Sequence, residues 1–182
     1  MTSSIRTLLA AAVLALSTAA GTAHASTPAS TPASASDAPR AAPEFIGIDH
    51  WLNSAPLTMA QLRGKAVLVD FWTYGCINCR HTLPWVKAWH AKYKDQGLVV
   101  VGVHTPEFSV EGNLDNLKAE VKRNGIAYPV AQDNRYATWQ AWGNQFWPAF
   151  YLVDRKGQVV YTHFGEGNYE QTDAAIRKAL GL

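Results

Sequence analysis

Cysteine is scarce in this chain: 182 residues contain only two, Cys76 and Cys79. A framework of several disulfides is therefore excluded. A single bridge between these two would close so short a loop that it would constrain the unfolded chain little. The pair makes a poor staple, and its spacing favours redox chemistry. Excess charge is missing too. The formal net charge is +2, and it falls to +1 without Arg6. That balance leaves no basic stripe for nucleic acid. There is no internal repeat.

Charge is almost absent from the first part of the chain, where Arg6 is the only charged side chain before Asp37. The apolar run that follows it, Thr7 to Ala20, is short and rich in Ala, Ser and Thr, whereas a spanning helix wants about 20 strongly apolar residues. It ends at Ala23-His24-Ala25, a small-x-small cleavage site. Residues 1–25 are thus expected to be a signal peptide, in preference to an uncleaved anchor, so membrane contact would be transient. No cysteine follows the run, which argues against a lipoprotein anchor. Residues 26–43, almost entirely Ser, Thr, Ala and Pro, cannot bury apolar surface and are expected to be a flexible tether. Residues 44–182 suit one domain. An exported chain of this kind would work in the periplasm or be secreted.

Within that domain, Ala66 to Trp72 is a near-continuous apolar run broken only by Asp70, the signature of a strand buried on both faces. A helical pattern follows Cys76, with Leu83, Val86, His90 and Tyr93 on one face and Trp85 and Trp89 on another, and Gly97 stops it. Leu98 to Val103 reads as a second buried strand. A helix is expected over Glu111–Arg123, a short strand over Tyr128–Ala131 and a short helix over Arg135–Trp142. Ala149–Val153 and Gln158–Phe164 read as two strands joined by a turn, and Asn168 can cap a last helix from Tyr169 to Leu180. This order makes a three-layer α/β fold with a mixed central sheet and helices on both faces.

A thiol reacts as its thiolate, and a free one has a pKa of about 8.5. Cys76 falls where the strand gives way to the helix, and free N–H groups and the helix dipole there stabilise a negative sulfur. Cys79, one turn later, is placed to attack a mixed disulfide formed at Cys76. Asp70 is the oddity of the strand, because a buried carboxyl is costly without a task or a partner. Burial should raise its pKa and make it a workable general base near neutral pH. The competing reading pairs it with a cation such as Lys65.

The run Val69-Asp70-Phe71-Trp72-Thr73-Tyr74-Gly75-Cys76-Ile77-Asn78-Cys79, with Pro84 five residues on, resembles the thioredoxin active site. Val100-Val101-Gly102-Val103-His104-Thr105-Pro106-Glu107-Phe108 and Trp147-Pro148-Ala149 narrow the likeness to the redoxin branch. That branch includes periplasmic cytochrome c-maturation thiol–disulfide oxidoreductases and the soluble thioredoxin domain of DipZ-type proteins. The resemblance implies a thioredoxin fold with a central αβ insertion over Gly112–Ala131, and no cofactor. It assigns Asp70 to proton relay beneath the cysteines and offers Glu107 as a second relay, so that either acid or both could serve. It makes the Trp147–Pro148 bond cis, in a loop that abuts Cys76 and receives substrate, and Trp72 and Tyr74 would flank the sulfur. It also implies oxidised or reduced periplasmic protein thiols as partners, with a membrane electron carrier that recharges a reductant.

Two other classes compete with this reading. Copper delivery would use both cysteines with His104 or His163, but such cysteines usually have three residues between them, and here there are two. A peroxiredoxin-type peroxidase would need a lone cysteine after a proline-threonine pattern. Arg80 stands where a haem-attachment motif needs histidine. His81 could help the thiolate or simply be a solvated helix residue. Ile77-Asn78 leaves the direction of electron flow open.

Overall fold

The computed structural model describes residues 40–182. The expected leader over 1–25, and the expected tether up to residue 39, lie outside the described residues. The central strand β3 (Ala66–Trp72) is buried along its whole length, as its apolar run requires. It pairs in parallel with β4 (Leu98–His104) and antiparallel with β6 (Ala149–Val153). Beyond these, β5 (Val130–Gln132) extends the parallel side, and β7 (Gln158–Phe164) pairs antiparallel with β6. Two short edge strands close the seven-stranded sheet: β1 (Arg40–Ala41) on β7 and β2 (His50–Leu52) on β5. Neither was legible in the pattern, and Arg40–Ala41 fall inside the stretch read as tether. Two-residue and three-residue strands carry too little periodicity to announce themselves.

One sheet face is covered by α1 (Ile77–Tyr93), α2 (Leu114–Arg123) and α4 (Tyr169–Leu180). Val86, Trp89, Leu117, Val121 and Ile176 from these helices meet Ala66, Leu68, Phe150 and Leu152 of the strands. The other face is covered by α3 (Ala137–Ala141) and the segment before β3: Trp139, Trp142, Met59 and Leu62 pack on Val67, Val69, Phe71 and Tyr151. The sheet is therefore the middle of three layers. Helix α2 and strand β5 form the central insertion. Among the described residues no helix is long and apolar enough to cross a membrane.

Helix α1 buries a stripe different from the expected one. Cys79, Thr82, Val86, Trp89 and Tyr93 face the sheet, a run of three- and four-residue steps along one side of a helix. Trp89 sets its edge on Phe150, and His90 is left on the half-buried flank. The consequence is functional, because the core-facing stripe carries Cys79 inward. Helix α2 begins at Leu114, with Asn113 accepting the N–H groups of Asp115 and Asn116. The preceding Ser109–Gly112 forms a separate 3-10 turn. Asn168 ends up in the left-handed region and makes no side-chain cap to α4.

Gly102 of β4 lies directly across from Asp70, and a Cβ there would stand 2.8 Å from Trp72 Nε1 and 3.1 Å from Tyr128 Cε2. A stiff indole and a buried phenol cannot easily yield. Gly102→Ala is expected to destabilise the fold by about 1–3 kcal/mol. The check is a lower urea midpoint at an unchanged m-value; an unshifted midpoint would show that the space beside Asp70 is not tight.

Candidate active site

Cys76 is the N-cap of α1. Its backbone is extended, and its sulfur accepts the Cys79 N–H at 3.4 Å. The first turn contains no acid, so nothing there opposes the partial positive charge of the exposed N–H groups. Half-exposed, the Cys76 thiol reaches toward the Trp147 carbonyl at 3.8 Å. The Trp147–Pro148 peptide bond is cis. Both cysteines are free thiols.

Cys79 is in a different medium. It is 3% exposed, and burial pushes its thiol up, with the hydrogen bond to Cys76 and the charge of Asp70 adding to that. Asp70 occupies the β3 register that points toward α1, together with Leu68 and Trp72. It is 2% exposed and forms no ion pair, so the alternative of a structural pair with Lys65 is not realised among the described residues. Desolvation pushes its pKa up to about 8. Asp70 Oδ1, Trp72 Nε1 and the Tyr128 hydroxyl are each buried without a hydrogen-bond partner among the described residues, and the Trp72 and Tyr128 rings both border Gly102.

Two residues expected at the site are placed elsewhere by the structure. Trp72 is core: as an alternate residue of β3 it points into the helix-covered face, where its ring packs edge-on against His104. Glu107 is exposed, and it contributes its backbone N–H to Glu111 Oε2. The carboxylate that meets the cysteine loop is that of Glu111, 1% exposed, whose Oε1 accepts the Gly75 N–H at 2.8 Å and whose Oε2 also accepts the Phe108 N–H at 2.9 Å. The sequence pattern makes Glu111 the first residue of a helix. Asn113, a strong N-cap type directly before Leu114, was the signal that the helix starts later.

Tyr74 is half-buried, stacked on His104 and bonded through its hydroxyl to the Val110 carbonyl at 3.0 Å. Trp147 ties its indole N–H to the Thr105 carbonyl at 3.0 Å. His104 is buried and pushed down to about 4 by desolvation, and its Nε2 lies 3.2 Å from Thr73 Oγ1. His163 engages Asn168, and His81 pairs at the surface with Glu166. Among the described residues no three His, Cys, Asp or Glu side chains group as a metal site.

Residues 37–180 match the Redoxin family model. The chain is 47% identical over 142 residues to Protein DipZ of Mycobacterium tuberculosis, covering 76% of this chain but 20% of that protein. It thus spans about a fifth of the length of that relative. Thiol-disulfide oxidoreductase YkuV of Bacillus subtilis is 31% identical over 139 residues, covering 76% of this chain and 93% of YkuV. Among solved structures, a thioredoxin-like protein in the oxidised form superposes with a TM-score of 0.72 at 29% identity, over 79% of this chain and 96% of that one. A putative thiol:disulfide interchange protein DsbE from Chlorobium tepidum gives 0.68 at 27% identity, over 79% and 97%.

The protonation of Asp70 carries a stability consequence. Below 3.8, its ordinary pKa, folded and unfolded chains both hold the proton. Between 3.8 and about 8 the unfolded chain releases it while the fold retains it, so stability falls as pH rises and levels off above about 8. Asp70→Asn should therefore match the parent near pH 3.5 and exceed it increasingly up to pH 8, by on the order of a few kcal/mol. Urea melts across that range provide the check, and a pH-independent difference would be incompatible with a neutral buried Asp70.

Proposed function

This chain belongs to the redoxin family, and on that footing we propose that it is an exported thiol–disulfide oxidoreductase that reduces protein disulfides. The observation that carries this reading is the division between the two sulfurs: Cys76 half-exposed at a helix start, Cys79 buried one turn later on the face that covers Asp70.

The Cys76 thiolate attacks one sulfur of a substrate disulfide. The Cys76–substrate bond forms, the substrate S–S bond breaks, and the second substrate sulfur departs as a thiolate that takes a proton from water. Cys79 then gives its proton to Asp70, in the fraction of molecules where that carboxyl is ionised near neutral pH, and attacks Cys76 Sγ. This forms the Cys76–Cys79 bond and expels the first substrate sulfur as a thiolate, which takes a proton from water. Two electrons pass from the protein dithiol to the substrate, which leaves as a dithiol. The carbonyl of Trp147, beside Cys76, is placed to accept an N–H from an extended substrate strand.

We infer the reducing direction from the likeness to the redoxin branch of cytochrome c-maturation oxidoreductases and to DipZ. Regeneration requires an external dithiol, and a membrane electron carrier is the donor we infer, in keeping with the likeness to DipZ. The partners would be periplasmic protein thiols.

Purified chain equilibrated with glutathione is expected to show a potential below about −200 mV, against about −120 mV for the strong periplasmic oxidant, and to reduce insulin. A value near the oxidant's without insulin reduction reverses the direction. Cys79→Ser should accumulate a mixed disulfide with substrate, and Cys76→Ser should form none and lose activity. If Cys79 rather than Cys76 carries the adduct, the assigned order of attack is wrong.

A further inference from the structure

The segment from Thr105 to Gly112 ties the two halves of the site together. At one end its Thr105 carbonyl holds the Trp147 indole. Toward the other end its Val110 carbonyl holds the Tyr74 hydroxyl, and its Glu111 carboxylate holds the Gly75 N–H. Tyr136 adds a hydrogen bond to the Pro106 carbonyl. The same carboxylate accepts the N–H groups of Glu107 and Phe108, so Glu111 folds the strap onto itself and onto the cysteine loop in one step. Gly75 admits this approach because a Cβ there would collide with the Glu111 carboxylate.

What the strap presents is apolar. Phe108 and Val110 are each 59% exposed, although burying such side chains is worth roughly 1.5–3 kcal/mol apiece. The Phe108 ring lies against Gly75, within 3.8 Å of the Cβ position there, one residue from Cys76. Ile77, directly after Cys76 in the first turn of α1, is also exposed. Phe146 precedes Trp147 and packs at 5.2 Å on Phe164. The reacting atom selects a disulfide, and its surroundings select what flanks that disulfide.

We propose that the Thr105–Gly112 strap is the specificity element of the exchange reaction, with Phe108 and Val110 contacting apolar side chains beside the substrate cysteine and Glu111 positioning them. The substrate class is then an extended polypeptide whose disulfide cysteine is flanked by apolar residues, as in an unfolded or partly folded protein, in preference to a small charged disulfide. This proposal rests on the thiol-exchange reading of Cys76 and names the substrate of that site.

The test compares two peptide disulfides, one with Phe and Leu flanking the cysteine and one with Ser and Gly, mixed with the prereduced full chain in single-turnover kinetics. The parent is expected to favour the apolar peptide by about tenfold in second-order rate constant. Phe108→Ser combined with Val110→Ser should bring that ratio toward one. Glu111→Gln, which keeps both apolar side chains but weakens their anchorage, should also lower it. Equal rates in the parent, or a ratio untouched in the double variant, overturn the proposal while leaving thiol exchange standing. No exchange with either peptide removes the thiol-exchange reading itself. If sedimentation shows a concentration-dependent dimer that the double variant abolishes, with the peptide ratio unmoved, the patch is a contact between copies and the proposal fails.

Discussion

A carboxyl group that cannot ionise cheaply sits at the centre of the molecule, and the rest of the site is arranged around it. Both faces of β3 are covered by helices and loops, so Asp70 is withdrawn from bulk solvent, and among the described residues no cation pairs with it. Its neutral state below about pH 8 follows from that enclosure. The stripe that docks α1 on the sheet brings Cys79 over the same face, whereas Cys76, at the cap, stays at the rim. Two thiols separated by two residues thereby occupy media of different polarity. One is open to solvent and the other is closed off from it. The same enclosure that makes Asp70 a proton acceptor of suitable strength makes the fold less stable as pH rises. Gly102, across the ladder from this unpaired group, leaves the room that the Trp72 indole N–H and the Tyr128 ring occupy.

Much of this was written in the chain. The unbroken apolar runs of β3 and β4, the hairpin β6–β7 and the helix α4 each bury a full face or a regular stripe, and that kind of burial leaves a period in the sequence. Asp70 stood out because it interrupts such a run, and Cys76 because it falls where one period gives way to the other. Glu111 was hidden for the opposite reason. Its partners are backbone N–H groups, at Gly75, Glu107 and Phe108, and a backbone donor leaves no side-chain signature. Glu107, one turn away in sequence and also a glutamate, could not be told from it without the 3-10 turn that points one inward and the other out. Trp72 was misplaced by reading proximity in sequence as proximity to the sulfur. Alternation along β3 puts it in the core.

Chemistry and recognition are carried by different parts of the chain. Cys76, Cys79 and Asp70 all lie on β3 and the start of α1, a strand–helix unit held by core packing. Phe108, Val110 and Glu111 belong to the segment leading into the inserted helix α2, which joins the unit through a few hydrogen bonds. Removing the carboxylate of Glu111 would leave the Gly75, Glu107 and Phe108 N–H groups without their acceptor and release the strap from the cysteine loop. An element coupled this way can change what it presents to a substrate without altering the strand, the helix start or the buried acid. The exchange reaction needs those three parts, and the choice of partner rests with the loop bonded to Gly75.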